Sequence, residues 1–363
     1  MKTTLPLSFK GEGDKGGEVV YGKGTMIKEA IEAIVSGGSL SFEQAARVME
    51  EIMSGEATPA QIAAFITALG IKGETVDEIA GLASVMRAKS IPVKVTPPVV
   101  DTCGTGGDNS SSFNISTAAA FIAAGSGLKV AKHGNRAMSS HCGSADVLEA
   151  SGVKIDLGAE AVARCLETIG IGFMFAPIFH PAMKYAAAPR REISIRTVFN
   201  ILGPLTNPAR AQFQVIGVPN IELGEKIALV LHRLGTRHAL VVHGTDGMDE
   251  ISISAKSLVW EVNESGVLPA YEVSPQYFGF KEAKLTQIKG GTPEDNAQIL
   301  RSILSGDRGP KREVAVMNAA AALVAGNQVS ALKQGAHLAE ETIDSGRALE
   351  KLDALVRLSQ SLG

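Results

Sequence analysis

A glycine-rich loop, Gly104 to Asp108, follows the short apolar run Val99 to Val100 and precedes a helical pattern. Glycines let the backbone approach a phosphate closely and point successive N–H groups at it. Asn114, Ser116 and Thr117 would lie in the first turn of the helix, where its positive dipole end and the hydroxyl groups favour an anion. The loop therefore predicts a phosphate or diphosphate site, although a tight turn between strand and helix would look the same.

The loop matches neither of two common nucleotide-binding patterns. No GKS or GKT follows it, as a Walker A loop requires. The spacing G-x-G-x-x-G of dinucleotide-binding folds is also absent here. An ordinary nucleotide triphosphatase and a dinucleotide enzyme are both disfavoured.

A second polar loop, Lys132 to Arg136, follows the apolar run Leu128 to Ala131, and Ser139, Ser140 and Ser144 come after it. In a parallel sheet both loops would lie at the carboxyl ends of neighbouring strands, where α/β proteins bind ligands. The two loops thus predict one site that offers backbone N–H groups, cations and hydroxyl groups together. Taken alone, the second loop would also fit a solvated surface turn.

Two adjacent carboxylates, Asp249 and Glu250, follow the predicted strand Ala239 to His243. Magnesium sites commonly use one or two carboxylates together with substrate phosphates. The pair therefore indicates Mg²⁺ beside the phosphate site, with a solvated acidic loop as the alternative.

Arg190 and Arg191, with His180 upstream, form a third group of polar residues. Arginine suits planar, bidentate binding of a carboxylate. A surface helix with ordinary ion pairs is the alternative interpretation.

The composition is that of a globular protein: 45% of the 363 residues are hydrophobic and 20% are charged. The formal net charge of −3 disfavours a nucleic-acid-binding protein. No signal peptide and no apolar run long enough for a membrane span is found. The three cysteines lack metal-ligand spacing, and their odd number gives no disulfide framework, so we expect a protein of the reducing cytoplasm.

Four helical patterns occupy the first quarter of the chain after a flexible, glycine- and lysine-rich tail at residues 1–24. Capping boxes beginning at Ser41, Thr58 and Thr75 predict three of the helix starts. We therefore expect a small all-α domain at residues 25–92, joined by helices from about 180–208. The proline-punctuated stretch 90–98 predicts a hinge.

The remainder, residues 93–363, alternates strand and helix patterns and predicts a large α/β domain with a mostly parallel central sheet flanked by helices. Residues 251–273 alternate in hydropathy and predict antiparallel strands. Near the end, residues 312–324 and 342–358 each predict a helix.

In combination, these motifs resemble the anthranilate phosphoribosyltransferase family, which acts in tryptophan synthesis. The motifs are Asp-x-x-GTGGD from Asp101, NIST from Asn114, KHGNR-x-x-SS-x-x-GSAD from Lys132, RT-x-FN-x-LGPL-x-NP from Arg196 and HG-x-x-G-x-DE from His243. The resemblance runs from about Thr25 to Leu358 and includes the segment Gly290 to Asn296 and the Met317-Asn-Ala-Ala-Ala-Ala run.

The resemblance implies a helical and an α/β domain joined by a hinge, and a homodimer formed through the helical domain. It implies transfer of phosphoribosyl from phosphoribosyl pyrophosphate to the amine of anthranilate, with release of pyrophosphate and with Mg²⁺. The attacking amine is neutral and loses its proton late, so no strong general base is required and none is identified.

The resemblance also implies roles for individual residues. The residues implied for phosphoribosyl pyrophosphate are Gly104, Gly107, Asp108, Ser112, Asn114, Ser116, Thr117, Lys132, His133, Gly134, Asn135, Arg136, Ser139, Ser140 and Ser144. The residues implied for anthranilate are Gly104, Asn135, Arg190, His133 and His180. The implied magnesium ligands are Ser116, Asp249 and Glu250.

Two alternative functions share parts of this pattern. A pyrimidine nucleoside phosphorylase of similar architecture would bind inorganic phosphate instead of a diphosphate with a metal. A non-enzymatic relative that binds nucleic acid would be basic and would lack the phosphate loop, whereas this chain is slightly acidic and keeps it.

Overall fold

The structure, a computed structural model, describes residues 26–108, 110–137 and 142–363. The predicted tail at residues 1–24 and the predicted ligands Ser139 and Ser140 lie outside the described residues. Over the described part of the chain, a bundle of helices comes first, and strands alternate with helices after it.

The helices are α1 (Met26–Val35), α2 (Phe42–Ser54), α3 (Pro59–Lys72), α4 (Val76–Lys89), α5 (Ile115–Gly125), α6 (Ser144–Ala150), α7 (Ala159–Ile169), α8 (Ala176–Phe179), α9 (Lys184–Ile193), α10 (Val198–Leu202), α11 (Ile221–Arg233), α12 (Pro293–Leu304), α13 (Pro310–Ala325), α14 (Leu332–Asp344) and α15 (Arg347–Ser361). The strands are β1 (Val100–Gly104), β2 (Val130–Gly134), β3 (Ile171–Phe175), β4 (Phe213–Gly217), β5 (His238–Gly244), β6 (Ser257–Asn263), β7 (Gly266–Val267) and β8 (Tyr271–Val273).

Helices α2 to α4 begin where the capping boxes predicted. The side chains of Ser41, Thr58 and Thr75 each accept a hydrogen bond from the backbone N–H three residues on. Such caps satisfy N–H groups that the first turn of a helix leaves without partners. The carboxylate of Glu78 also accepts a hydrogen bond from the backbone of Leu40 at 2.9 Å. The bundle is thereby tied together at its loops as well as through its apolar core.

The sheet has the order β3-β2-β1-β4-β5-β6-β7, with β8 also paired to β6. Strands β1 to β5 are parallel, and β6, β7 and β8 pair antiparallel. This confirms the predicted fold class, a small helical part plus an α/β part with a mostly parallel sheet. Because β1, β2 and β5 run in the same direction, the two polar loops and the Asp249–Glu250 segment leave the sheet at one edge.

Two apolar cores lie on the two faces of the sheet. Val215 and Leu240 belong to one core, together with α5, α13 and α15. The next residues along the same strands, Ile216 and Val241, belong to the other core. This alternation follows from the two-residue period of a strand. The second core also contains the bundle, α9, α10 and α11, so the helical part packs on one face of the sheet.

A buried arginine links the bundle to that face. Arg87 of α4 donates from Nε to the carbonyl oxygen of Leu205 at 2.5 Å and from Nη1 to that of Leu234 at 3.2 Å. Burial lowers the pKa of Arg87 to about 10. The carbonyls of Leu205, after α10, and Leu234, directly after α11, therefore have a charged donor from the bundle.

The structure corrects one prediction near the end of the chain. The sequence predicts one helix over residues 342–358, but Thr342 lies in the last turn of α14, and α15 begins only at Arg347. Gly346 separates the two helices with a φ of +78°, a left-handed conformation that ends regular helix. Of the helices in the described ranges, none is long and apolar enough to cross a membrane.

Candidate active site

The glycine-rich loop is folded against the carboxylate of Asp249. Gly106 and Gly107 take φ values of +70° and +83°, which glycine adopts without strain. The backbone N–H of Gly106 donates to Oδ2 of Asp249 at 2.7 Å, and that of Thr105 donates to the carbonyl oxygen of Gly217 at 2.9 Å. A Cβ at Gly104 would overlap the Asp249 carboxylate. The loop therefore needs glycine both for its conformation and for this close approach.

Three carboxylates, those of Asp108, Asp249 and Glu250, lie close together at this loop. Burial, with the neighbouring charge of Asp108, raises the pKa of Asp249 to about 7. Burial also raises the pKa of Glu250 well above its usual range, with Asp249 adding to the effect. Because burial and mutual repulsion both disfavour the charged forms, a bound cation would stabilise these carboxylates.

Lys132 is a cation close to Glu250. Its side chain is buried, and Nζ donates to the carbonyl oxygen of Thr102 at 2.6 Å and lies 3.3 Å from Oγ of Ser116. Burial lowers the pKa of Lys132, whereas Asp101 and Glu250 act to raise it. The lysine therefore joins β2 to β1 and to the first turn of α5.

Several polar atoms around the start of α5 are buried without a hydrogen-bond partner. They are Oγ1 of Thr105, Oδ2 of Asp108, Oδ1 of Asn114 and Oγ1 of Thr117. Asn114 stands at the N-cap of α5, but its side chain does not cap the helix; Nδ2 donates to the carbonyl oxygen of Cys142 at 3.0 Å instead. Buried polar atoms without partners are costly, and a bound polar ligand would satisfy them.

The second polar loop departs in one respect from the role implied for it. The guanidinium of Arg136 pairs with Glu149, at 2.7 and 3.0 Å, and with Asp146 at 3.0 Å. This predicted phosphate ligand is therefore engaged on α6. Asn135 lies beside it and accepts a hydrogen bond from the Arg136 backbone at 2.8 Å. Gly134 packs closely on Ser144, so that a Cβ at this position would overlap the Ser144 hydroxyl.

Ser112 lies in an extended stretch that leads into α5. It forms an isolated antiparallel bridge with Lys289, and the next residue, Phe113, donates from its N–H to the carbonyl oxygen of Ile288 at 3.1 Å. The Gly290 N–H donates to the carbonyl oxygen of Ser111 at 3.0 Å. The segment that begins the motif Gly290 to Asn296 therefore supports the hydroxyl-rich end of the loop.

His133 and His180, predicted to lie near an organic substrate, are in contact. Their ring centroids are 5.1 Å apart, both side chains are buried, and Nε2 of each has no hydrogen-bond partner. Burial lowers the pKa of His133 to about 3 and that of His180 to about 4. Both rings are therefore neutral at neutral pH and leave nitrogen atoms available to a ligand.

Arg190 is a half-buried cation near the end of α9. Its guanidinium lies 5.0 Å from the ring centroid of Phe199, and its Nε is buried without a partner. Burial lowers the pKa of Arg190. A planar cation held on an aromatic ring with a free donor is suited to binding a carboxylate.

Two residues with evident roles at the site were not singled out from the sequence. Arg196 donates from Nη2 to the carbonyl oxygen of Thr105 at 3.3 Å and covers the position where Gly107 would carry a side chain. Asn207 donates to Oδ2 of Asp101 at 2.7 Å and to the carbonyl oxygen of Ala131 at 2.8 Å, which joins β1 and β2 near their first residues, below the two loops. Both lie in the motif that starts at Arg196, and that motif was the only signal for them.

The residues present fit a magnesium ion. Among the described residues no three His, Cys, Asp or Glu side chains form a site that could hold a metal by themselves. Mg²⁺ does not need such a site, because it takes one or two carboxylates and completes its octahedral shell with water and substrate phosphates. Asp108, Asp249 and Glu250 supply the oxygen donors. Burial raises the pKa values of Asp249 and Glu250, and Oδ2 of Asp108 is buried without a partner, so a bound cation would stabilise the charged carboxylates.

The fold and the site together define a glycosyl transferase built from a helical bundle and an α/β domain. A model of the helical bundle domain of the glycosyl transferase family matches residues 28–90, and a model of its a/b domain matches residues 96–349. Within this class, the chain belongs to the anthranilate phosphoribosyltransferase family, because it shares 60% identity with a curated member over nearly the whole length of that member.

Two curated relatives illustrate this similarity. The anthranilate phosphoribosyltransferase of Dehalococcoides mccartyi is 60% identical over 338 residues, which cover 93% of this chain and 99% of the relative. That of Chloroflexus aggregans is 59% identical over 335 residues, which cover 92% and 98%.

Two solved structures show the same fold. The anthranilate phosphoribosyltransferase of Thermus thermophilus has a TM-score of 0.86 at 43% identity, covering 91% of this chain and 99% of that one. The enzyme of Saccharomyces cerevisiae, in complex with PRPP and Mg, has a TM-score of 0.85 at 29% identity, covering 93% and 98%.

Proposed function

We propose that this chain transfers the phosphoribosyl group of 5-phosphoribosyl 1-pyrophosphate to the amine of anthranilate. The products are N-(5-phosphoribosyl)anthranilate and pyrophosphate, and the reaction is a step of tryptophan biosynthesis. The observation that carries the proposal is the meeting of the glycine-rich loop, Lys132 and the Asp249–Glu250 pair at one edge of the sheet. The high identity to curated anthranilate phosphoribosyltransferases supports it.

Phosphoribosyl pyrophosphate binds between the two polar loops in this account. The glycine-rich loop offers backbone N–H groups, the open first turn of α5 offers its dipole and side chains, and Lys132 offers a cation. We assign the pyrophosphate-bearing substrate to the residues implied for it above, with Ser139 and Ser140 included as predictions. Arg136 would join them only by leaving its ion pairs on α6.

Magnesium would be held by Asp249, Glu250 and Ser116. When bound, Mg²⁺ neutralises charge that develops on the departing pyrophosphate. The chain prepares this site by placing the Asp249 carboxylate against the Gly106 N–H and by keeping Lys132 beside Ser116. These contacts fix the Asp249 carboxylate and the Ser116 hydroxyl before any ligand arrives.

Arg190 is proposed to bind the carboxylate of anthranilate, with Gly104, Asn135, His133 and His180 lining the acceptor site. The neutral rings of His133 and His180 add no positive charge where the ribose itself becomes positively charged. Their free nitrogen atoms can accept hydrogen bonds from an aromatic amine. Positioning of a neutral nucleophile is then the main requirement, and no strong base is needed.

We further propose that the chain forms a homodimer through its helical part, works in the cytoplasm and divides near residue 92 into the two predicted domains. The exposed side chains of Val35 and Ile71, 73% and 82% exposed, support an interface on the bundle. The three cysteines are all free, which supports a reducing compartment.

The choice of substrates separates this function from that of a nucleoside phosphorylase. The purified protein should consume phosphoribosyl pyrophosphate with anthranilate and Mg²⁺, and chelation of Mg²⁺ should stop the reaction. Inorganic phosphate with a pyrimidine nucleoside should give no product. Turnover of the nucleoside with phosphate would instead assign the site to phosphorolysis.

A further inference from the structure

One polar side chain lies in the middle of an otherwise apolar buried helix. From Val314 to Ala325, every residue of α13 is buried, and Asn318 alone carries an amide. Its side chain is only 2% exposed. A buried amide is costly unless it is fully hydrogen-bonded, so its partners indicate what it does.

Asn318 pairs with both backbone groups of a single distant residue. Its Oδ1 accepts from the N–H of Ile251 at 2.9 Å, and its Nδ2 donates to the carbonyl oxygen of Ile251 at 3.0 Å. The other hydrogen of Nδ2 is directed to the carbonyl oxygen of Val314 at 2.9 Å. The amide is thus oriented by its own helix and fixes the backbone of residue 251.

Ile251 directly follows the two carboxylates of the site. The segment that carries them leaves β5 at Gly244, whose N–H donates to the carbonyl oxygen of Met248 at 2.9 Å. After Ile251, the N–H of Ser252 donates to Oγ of Ser257 at 2.8 Å, at the start of β6. Asn318 therefore holds the segment between these two points, next to Glu250.

The position of Asp249 is tightly restricted by two glycines that it contacts. Its backbone carbonyl lies where Gly217 would carry a side chain, and its carboxylate lies where Gly104 would carry one. A small shift of the segment would move the carboxylate away from the N–H of Gly106 or push it into the glycine-rich loop. A contact that fixes the backbone of Ile251 therefore also helps to fix the carboxylates of Asp249 and Glu250.

We propose that Asn318 is a positioning residue that, through the backbone of Ile251, sets Asp249 and Glu250 for binding of the divalent cation with the diphosphate substrate. This inference rests on the proposed function. The side chain of Asn318 is engaged with the backbone of Ile251 and Val314, so its effect on the ligands is indirect. It accounts for the asparagine in the run that starts at Met317, a motif to which no role was attached.

The test compares two variants of Asn318 with a matched control. Asn318→Leu keeps the volume and removes the amide, whereas Asn318→Ala suits an alanine-rich helix and leaves space for water to pair with Ile251. Thr342→Val is the control, because it also removes a buried polar group, one bonded to Ser126 at 2.8 Å and to the carbonyl oxygen of Leu338 at 2.7 Å.

Binding is measured by calorimetric titration with Mg²⁺ and phosphoribosyl pyrophosphate in the absence of anthranilate. Altered orientation of ligating carboxylates typically costs about 10- to 100-fold in metal affinity, and we expect a loss of this size for both Asn318 variants. Thr342→Val should bind like the unsubstituted protein. In steady state, KM for phosphoribosyl pyrophosphate should rise in the Asn318 variants, and KM for anthranilate should not.

The outcomes separate this inference from the proposed function. If the unsubstituted protein binds neither Mg²⁺ nor phosphoribosyl pyrophosphate, the proposed function itself is wrong. If it binds both, and folded Asn318→Ala binds them equally well, Asn318 has only a structural role. Urea unfolding of each variant shows whether it is folded, and Asn318→Ala decides the question should Asn318→Leu fail to fold.

Discussion

At the scale of single residues, the site is distinguished by buried polar groups that lack a hydrogen-bond partner and by carboxylates with raised pKa values. Nε of Arg190 and Nε2 of His133 are buried without partners, and Asp249 has a raised pKa beside two further carboxylates. Interiors normally satisfy such groups, so a concentration of exceptions at one edge of the sheet indicates where ligands bind.

Arg190→Ala should impair anthranilate use selectively. Loss of a charged hydrogen bond costs about 1.5–3 kcal/mol, so KM for anthranilate should rise about 10- to 100-fold. KM for phosphoribosyl pyrophosphate should change little. Steady-state kinetics with each substrate varied in turn measures the two effects.

Arg191→Ala is the matched control, because Arg191 is its exposed neighbour on the same helix. It should leave both KM values close to those of the unsubstituted protein. Equal losses for both substrates in Arg190→Ala would contradict a role in carboxylate binding.

At the scale of elements, strand ends and helix starts determine the geometry of the site. The parallel register places Gly104 of β1 opposite Gly217 of β4, and Thr105 then bonds to the same Gly217. The loop, the start of α5 and the carboxylate segment are therefore assembled on a rigid edge. This arrangement positions the groups before substrate binds.

Gly104→Ala should disrupt this assembly, because the added methyl group would overlap the Asp249 carboxylate. We expect at least a roughly 10-fold loss in kcat/KM for phosphoribosyl pyrophosphate, as displaced metal-binding groups usually cause. Kinetics of the purified variant at saturating anthranilate measures it.

Gly70→Ala serves as the comparison, since a Cβ at this position in α3 meets no atom within 4 Å. Alanine in a helix interior is favoured over glycine by about 1 kcal/mol, so this variant should keep full activity and gain slight stability. Unchanged activity in Gly104→Ala would show that the close approach to Asp249 is not required.

At the scale of the whole molecule, the two apolar cores cover both faces of the sheet. The candidate site lies at the carboxyl ends of the parallel strands, and contacts that stabilise the fold lie at the opposite edge. At that opposite edge, His238 lies between Glu261, at 2.9 Å, and Asn327, at 2.7 Å. Burial acts to lower the pKa of His238, but these hydrogen bonds outweigh it and raise the pKa above its usual value.

His238 should make stability depend on pH. A histidine whose pKa is raised by folding stabilises the folded state below its unfolded pKa, and this contribution is lost as pH rises through the folded pKa. The loss in free energy of unfolding caused by His238→Gln should therefore be larger at about pH 5.5 than at about pH 8.5. Urea unfolding at the two pH values measures the difference.

His337 provides the comparison because its side chain is 69% exposed. His337→Gln should have only a small effect on the free energy of unfolding. If the effect of His238→Gln were the same at both pH values, the bond to Glu261 would not stabilise the charged ring.

Features encoded within a few residues could be predicted from the sequence, and features made by distant residues could not. The capping boxes at Ser41, Thr58 and Thr75 act over three residues and were confirmed. The pairing of Asn318 with Ile251 joins residues far apart in the chain and left no local pattern. The pairing of Arg136 with Glu149 also left no local pattern, because it joins the second polar loop to the helix that follows it.

Release of pyrophosphate from phosphoribosyl pyrophosphate, measured with and without anthranilate in the presence of Mg²⁺, tests the central claim most directly. We expect release only when anthranilate is present, in an amount equal to the phosphoribosyl anthranilate formed. Release at the same rate without anthranilate, or none in either case, would contradict it.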